Sequence, residues 1–214
     1  MLYSPRFEFI TSKTFSFEGL YQANSKDRSN YTRSGKLLGT MRGISTMAYE
    51  QYLGREPLLA EIKAITVDIA KSVYYKLFWL PMRGDQIKTD GVAWVIFDSF
   101  IATGNLITAR KGINKALTGN KIVETPTSFN DYTLQTINAG LQAMIVAAVI
   151  AENVAQRKSL STFSEFGAGW IARLIILQAE ALKLLTPVNV GISLGSIAVL
   201  VISGILVRKY LIKN

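Results

Sequence analysis

Neither cysteine nor histidine occurs anywhere in the 214 residues. The fold is therefore held without disulfides and without thiolate or imidazole zinc sites, and stability must come from apolar burial. The same absence removes Ser-His and Cys-His nucleophile pairs and any histidine general base. An enzyme built from this chain is expected to work with carboxylates, and no cofactor is expected. With 49% hydrophobic and 18% charged residues, the chain is globular rather than disordered.

Charge is unevenly spread. Lys and Arg number 24 against 15 Asp and Glu, a net +9, yet no ionisable side chain falls between Leu184 and Val207. At about 1.5 Å per residue, Val190 to Val207 spans roughly 27 Å, close to the hydrocarbon thickness of a bilayer. Pro187 and Asn189 mark its start, and Arg208, Lys209 and Tyr210 stand where interfacial anchors belong. A C-terminal transmembrane helix over 187–208, with a basic tail 209–214, is the expectation, and the lipid bilayer is then a partner. The N-terminal residues Met1 to Glu8 lack the apolar core of a secretory signal. A second uncharged run, Tyr132 to Ala151, carries Gln135, Asn138 and Gln142 at helical spacing. Such a polar stripe suits a helix inside a soluble core better than a second membrane span.

Elsewhere the periodicity is helical and the β-signal weak, so the fold class is mainly α. Helices are expected from Phe7 to Glu18, Thr46 to Leu53, Thr66 to Leu80, Val92 to Ile101, Leu106 to Leu117, Thr133 to Val154 as a long central helix, and Ser164 to Leu185. Thr66 can cap its helix and Pro81 stop it. Residues 19–43 change character, with turn formers interleaved with Lys26, Arg28, Arg33, Lys36 and Arg42. They form either a solvated loop or a basic lip around a cleft.

Two carboxylates stand out. Glu18 lies between Phe17 and Gly19, and a carboxyl group screened by Phe15 and Phe17 suits a general acid. Asp27 follows in a polar, basic setting. One screened and one solvated carboxylate across a cleft meet the requirement for glycoside hydrolysis. Asp98, after Phe97 on an apolar helix, reads as a buried hydrogen-bonding carboxylate. Trp79, Trp94 and Trp170 are candidates for stacking on sugar faces, against the commoner role of core residues.

Four segments carry a family resemblance: Phe17-Glu18-Gly19; Thr40-Met41-Arg42-Gly43-Ile44-Ser45; Ile69 to Trp79; and Val95 to Phe100 with Gly104. In order and spacing they resemble glycoside hydrolase family 108, the lysozyme-like muramidases of bacteria and phages. Gly112 to Leu117 and Phe166 to Arg173 resemble the peptidoglycan-binding region that comes next in those proteins. The resemblance implies a lysozyme-like catalytic domain over 1–120 and a helical binding region over 121–186. It implies Glu18 as proton donor, with Asp27 and Thr40 stabilising the transition state or positioning water; Ser45, Tyr49, Trp79 and Trp170 are the expected substrate contacts. Leu20 stands where the family has a second glycine, and Ala102 where it has an asparagine.

The expected function is thus a muramidase, either lysozyme or lytic transglycosylase, with peptidoglycan as partner. With its anchor, it is expected in a virion membrane beside capsid or other virion proteins and used in host-wall penetration, or else in a bacterial inner membrane. The alternative is a non-enzymatic, membrane-anchored structural protein that keeps the fold, as Leu20 and Ala102 would suit. Nucleic acid is not an expected partner, because no Lys/Arg stripe with interleaved aromatics occurs.

Overall fold

A computed structural model describes residues 3–117, 121–122 and 127–185. The expected transmembrane helix, 187–208, and the basic tail lie outside the described residues. Among the described residues no single helix is long and apolar enough to cross a membrane. The fold is mainly helical, and its chain divides into two compact units, one ending at Gly84 and the other starting at Asp85.

In the first unit, α1 (Pro5–Phe15) starts at Ser4, whose hydroxyl accepts from the Phe7 amide at 3.1 Å, with Pro5 preset for the first turn. It ends three residues before the Glu18 expected from periodicity, so Glu18 sits in an irregular turn rather than on the helix. Residues 19–43 form an ordered loop. Gln22 and Thr40 exchange backbone hydrogen bonds of 2.9 and 2.8 Å, and a 3-10 turn covers Arg28–Asn30. The loop closes in a hairpin, β1 (Thr40–Met41) with β2 (Ile44–Ser45), where Thr40 pairs with Ser45 and Met41 with Ile44.

Three helices follow: α2 (Thr46–Leu53), α3 (Leu59–Lys63) and α4 (Val67–Tyr74). Thr66 caps α4, accepting from the Ile69 amide at 3.2 Å. The chain then widens into a π turn, Tyr75–Trp79, in which the Leu80 amide reaches back five residues to the Tyr75 carbonyl. One extra residue in a turn rotates the side chains beyond it about the helix axis. Phe78 and Trp79 are buried there, in a core that includes Phe7, Ile10, Ile44, Ile62, Val73 and Tyr74.

The second unit is built around α5 (Asp90–Thr103), buried continuously from Gly91 to Phe100. A helix apolar all round must be enclosed by others, and α6 (Ile107–Ala116), α8 (Gln142–Lys158) and α9 (Phe163–Lys183) surround it. The long helix expected over Thr133 to Val154 is not continuous. It breaks at Gly140 and Leu141 into α7 (Asp131–Ala139) and α8, bent by 111°. The amides read as a polar stripe stabilise that corner. Gln142 donates to the carbonyls of Ile137 and Gly140 at 2.8 and 2.9 Å, supplying partners to groups that the break releases. Asn138 accepts from the Lys88 amide at 2.7 Å and donates to the Gln86 carbonyl at 2.8 Å.

Candidate active site

Glu18 opens onto a groove of about 330 Å³ in the first unit, lined also by Ser12, Phe15, Gly19, Leu20, Arg42, Val67 and Lys71. Its walls are chiefly apolar, and Glu18, Arg42 and Lys71 are the charged residues among them. Half-buried Glu18 is brought there by the turn after α1, where its amide donates to the Phe15 carbonyl at 3.1 Å.

The opposite side of Glu18 is formed by the hairpin tip. Arg42 and Gly43 have φ of 52° and 76°, the positive pair that a two-residue hairpin turn demands so that its twist matches that of the strands. Gly43 fits this conformation freely, and it also leaves space. A Cβ on it would lie 2.3 Å from the Tyr74 hydroxyl and 2.8 Å from both Cγ and Cδ of Glu18. Carboxyl and phenol are therefore neighbours of one point that a methyl group would fill. Tyr74 is itself fully buried, with Phe15 packed on its ring at 5.5 Å.

Asp27 and Thr40 serve the loop. Asp27 caps the 3-10 turn, its Oδ1 accepting from the Ser29 amide at 2.9 Å and the Ser29 hydroxyl at 2.8 Å. Thr40 donates from Oγ1 to Oδ1 of Asn30 at 2.6 Å. Asn30, fully buried, joins the loop's strands, accepting at its carbonyl from the Leu38 and Gly39 amides and donating from its side chain to the Asn24 carbonyl. Neither Asp27 nor Thr40 lines the groove beside Glu18.

The expected substrate contacts are dispersed. Ser45 caps α2, accepting from the Ala48 amide at 3.3 Å. Tyr49 is buried and stacked on Tyr52 at 6.1 Å, and burial raises its phenol above the usual tyrosine range. Trp79 is only 1% exposed and packs on Phe7 at 5.5 Å, so no face of it is open to a sugar. In the second unit Trp94 is buried in α5, whereas Trp170 on α9 is half-buried between Phe166 and Arg157, at 5.7 and 5.1 Å. Asp98 is buried as expected, and its Oδ1 receives Arg173 Nη2 at 2.6 Å.

Charges of the expected basic lip diverge. Lys36 pairs with Glu56, and Arg33 with Glu50 at 3.9 Å, while Arg42 lines the groove. Lys71 pairs with Glu8 at 2.5 Å. Among the described residues, no group of three or more acidic side chains is placed to hold a metal ion. Gly43, Tyr74 and Lys71 carry no site role legible in the sequence. A residue-glycine pair flanked by short apolar-containing segments is the local signal for the turn, but nothing local links it to Glu18.

The model of the family described as Glycosyl hydrolase 108 matches residues 11–104. SagA of Brucella abortus has a similar structure, with a TM-score of 0.69 and 27% sequence identity over 83% of this chain and 94% of that one. Among curated proteins none matches the chain. Residues 11–104, which hold Glu18 and its groove, thus match glycosyl hydrolase family 108, and the chain is a glycoside hydrolase or lytic transglycosylase acting on the glycan strands of peptidoglycan.

Proposed function

We propose that Glu18 is the proton donor and that the reaction closes as an intramolecular transglycosylation. The observation carrying this is the placement of Glu18 in an apolar-walled groove as the one carboxylate that lines it among the described residues. A retaining hydrolase holds a second carboxylate about 5–5.5 Å away as nucleophile, and an inverting one holds a base at about 6.5–9.5 Å. Asp27, the candidate for that second role, is engaged in capping. A transglycosylase takes its nucleophile from the substrate. Glu18 gives its proton to the glycosidic oxygen as the C1–O bond of N-acetylmuramic acid breaks. The C6 hydroxyl of the same sugar bonds to C1, and its proton returns to Glu18, leaving an anhydro ring and an unchanged enzyme. The bare α-carbon of Gly43 leaves room for the carboxyl beside Tyr74, while Asp27, Asn30 and Thr40 support the loop behind it.

Glu18→Gln keeps the shape and removes the proton. Turnover of purified peptidoglycan is expected to fall by about 10²–10⁴-fold, and the parent's products are expected to be one water lighter than hydrolysed ends by mass. Parent-level turnover in the variant would overturn the role of Glu18, and reducing ends would overturn the transglycosylase step. A parent without activity returns the chain to the structural alternative.

The enzyme is tethered by residues 187–208 in a virion membrane, where it opens the wall locally during entry. The support is the uncharged run Val190 to Val207 and its basic flank. Extraction of the full chain by carbonate at high pH, or its absence from purified particles, overturns the corresponding half of this statement.

A further inference from the structure

Arg42 occupies a place that costs the fold something. It is a non-glycine residue with φ of 52° at the tip of the hairpin, where Gly, Asn or Asp would be relaxed and a longer side chain is strained. Its guanidinium is held at one corner, with Nε donating to the Ile65 carbonyl at 3.2 Å. That leaves the Nη pair, and among the described residues no carboxylate pairs with it. Four other cations of this unit are ion-paired. Arg33, Lys36, Arg55 and Lys71 are matched with Glu50, Glu56, Glu61 and Glu8. Arg42 thus lines the groove that contains Glu18 with one corner of its guanidinium fixed and its two-donor Nη fork matched by no carboxylate among the described residues.

Such a fork matches a carboxylate through two parallel hydrogen bonds. The sugar rings of the glycan strand are neutral and offer no partner of that kind. Peptidoglycan carries carboxylates in two places only: on the peptide stem attached to muramic acid, and on the lactyl group of a muramic acid whose stem has been removed. We infer that Arg42 is a specificity residue that binds a carboxylate of the muramic acid substituent beside the scissile bond. The inference rests on the assignment of Glu18's groove as the glycan site. Anchoring one side of the sugar through a rigid fork would orient the glycosidic oxygen toward Glu18, and strands without that anion would bind less well.

Arg42→Gly and Arg42→Lys test this on three substrates: peptide-bearing glycan, glycan freed of its stems by an amidase, and stem-free glycan whose lactyl carboxyls have been converted to amides. Arg42→Gly relaxes the turn, so thermal melting should show a fold at least as stable as the parent's. KM on a carboxylate-bearing strand is expected to rise by about tenfold or more with a smaller change in kcat. Arg42→Lys should restore only part of this. On the amidated strand parent and variants should be alike. A penalty confined to peptide-bearing strands identifies the stem as the source, and one confined to stem-free strands identifies the lactyl group. An equal penalty on all three, or none, overturns the inference. A parent-like Glu18→Gln would instead remove the site on which it rests, so the two failures are separable.

Discussion

Gly43 stands against Glu18 so closely that a methyl group on its α-carbon would be 2.8 Å from two carbons of the acid's side chain. Gly43→Ala is therefore expected to push the carboxyl out of place, and a shift of about 1 Å at a reacting group costs on the order of a hundredfold in turnover. Strain at positive φ should add a stability loss of about 1–3 kcal/mol. Gly54 is the control, because its φ is 70° but a Cβ there meets nothing within 4 Å. Gly54→Ala should show the loss on melting without the loss of turnover; equal turnover in both variants would remove Gly43 from the site.

Asp27 accepts two hydrogen bonds from Ser29 at the start of a 3-10 turn. Asp27→Ala is expected to cost about 0.5–2 kcal/mol by denaturant unfolding, as for other lost caps, with kcat reduced less than tenfold. A folded variant without turnover would instead place Asp27 in the chemistry.

Asp98 and Arg173 join α5 to α9 in the second unit, with the carboxylate only 3% exposed. Removing Arg173 takes its ion pair away from a buried carboxylate, so Arg173→Met should destabilise the protein by about 3–5 kcal/mol. Pairing it with Asp98→Leu should recover most of that. Urea unfolding of both single variants and the double variant measures the coupling, and additive losses would deny it.

Acid stability has a local origin near α3. Hydrogen bonds from Arg55 and from the Leu58 amide hold the Glu61 carboxyl down at about 2, against 4.5 for an unperturbed glutamate. A depressed carboxylate stabilises the fold above its unfolded value and loses that contribution as pH falls. The loss is thus expected between pH 4.5 and about 2. Glu56, lowered by Lys36 and Ser34, acts in the same direction. Glu61→Gln should flatten the acid limb of a stability-against-pH curve, and Arg55→Ala should raise the Glu61 titration toward its ordinary value by carboxyl NMR, with the Leu58 amide still holding it below.

Much of the helical layout is legible in the residues because its signals are local. Thr46–Leu53 forms the helix its periodicity predicts, Thr66 caps α4, and α9 covers nearly the span expected from Ser164 to Leu185. Where a local signal had two solutions, packing chose. The apolar run after Tyr132 fits one long helix by period, yet its amides find better partners at a corner. Trp79 has the chemistry to stack on a sugar, and the π turn directs it into the core instead.

The exclusion of Cys and His chemistry, the mainly helical class and the candidacy of Glu18 come from the chain alone, since residue type and short-range spacing carry them. Which groups surround Glu18 is decided only in three dimensions. Gly43 reaches it through a hairpin turn, Tyr74 through the buried end of α4, and Arg42 through a strained backbone angle. Asp27, nearer in sequence than any of these, is drawn into a cap. Contacts between distant segments depend on how loops close and helices pack, and no periodicity in the sequence encodes them.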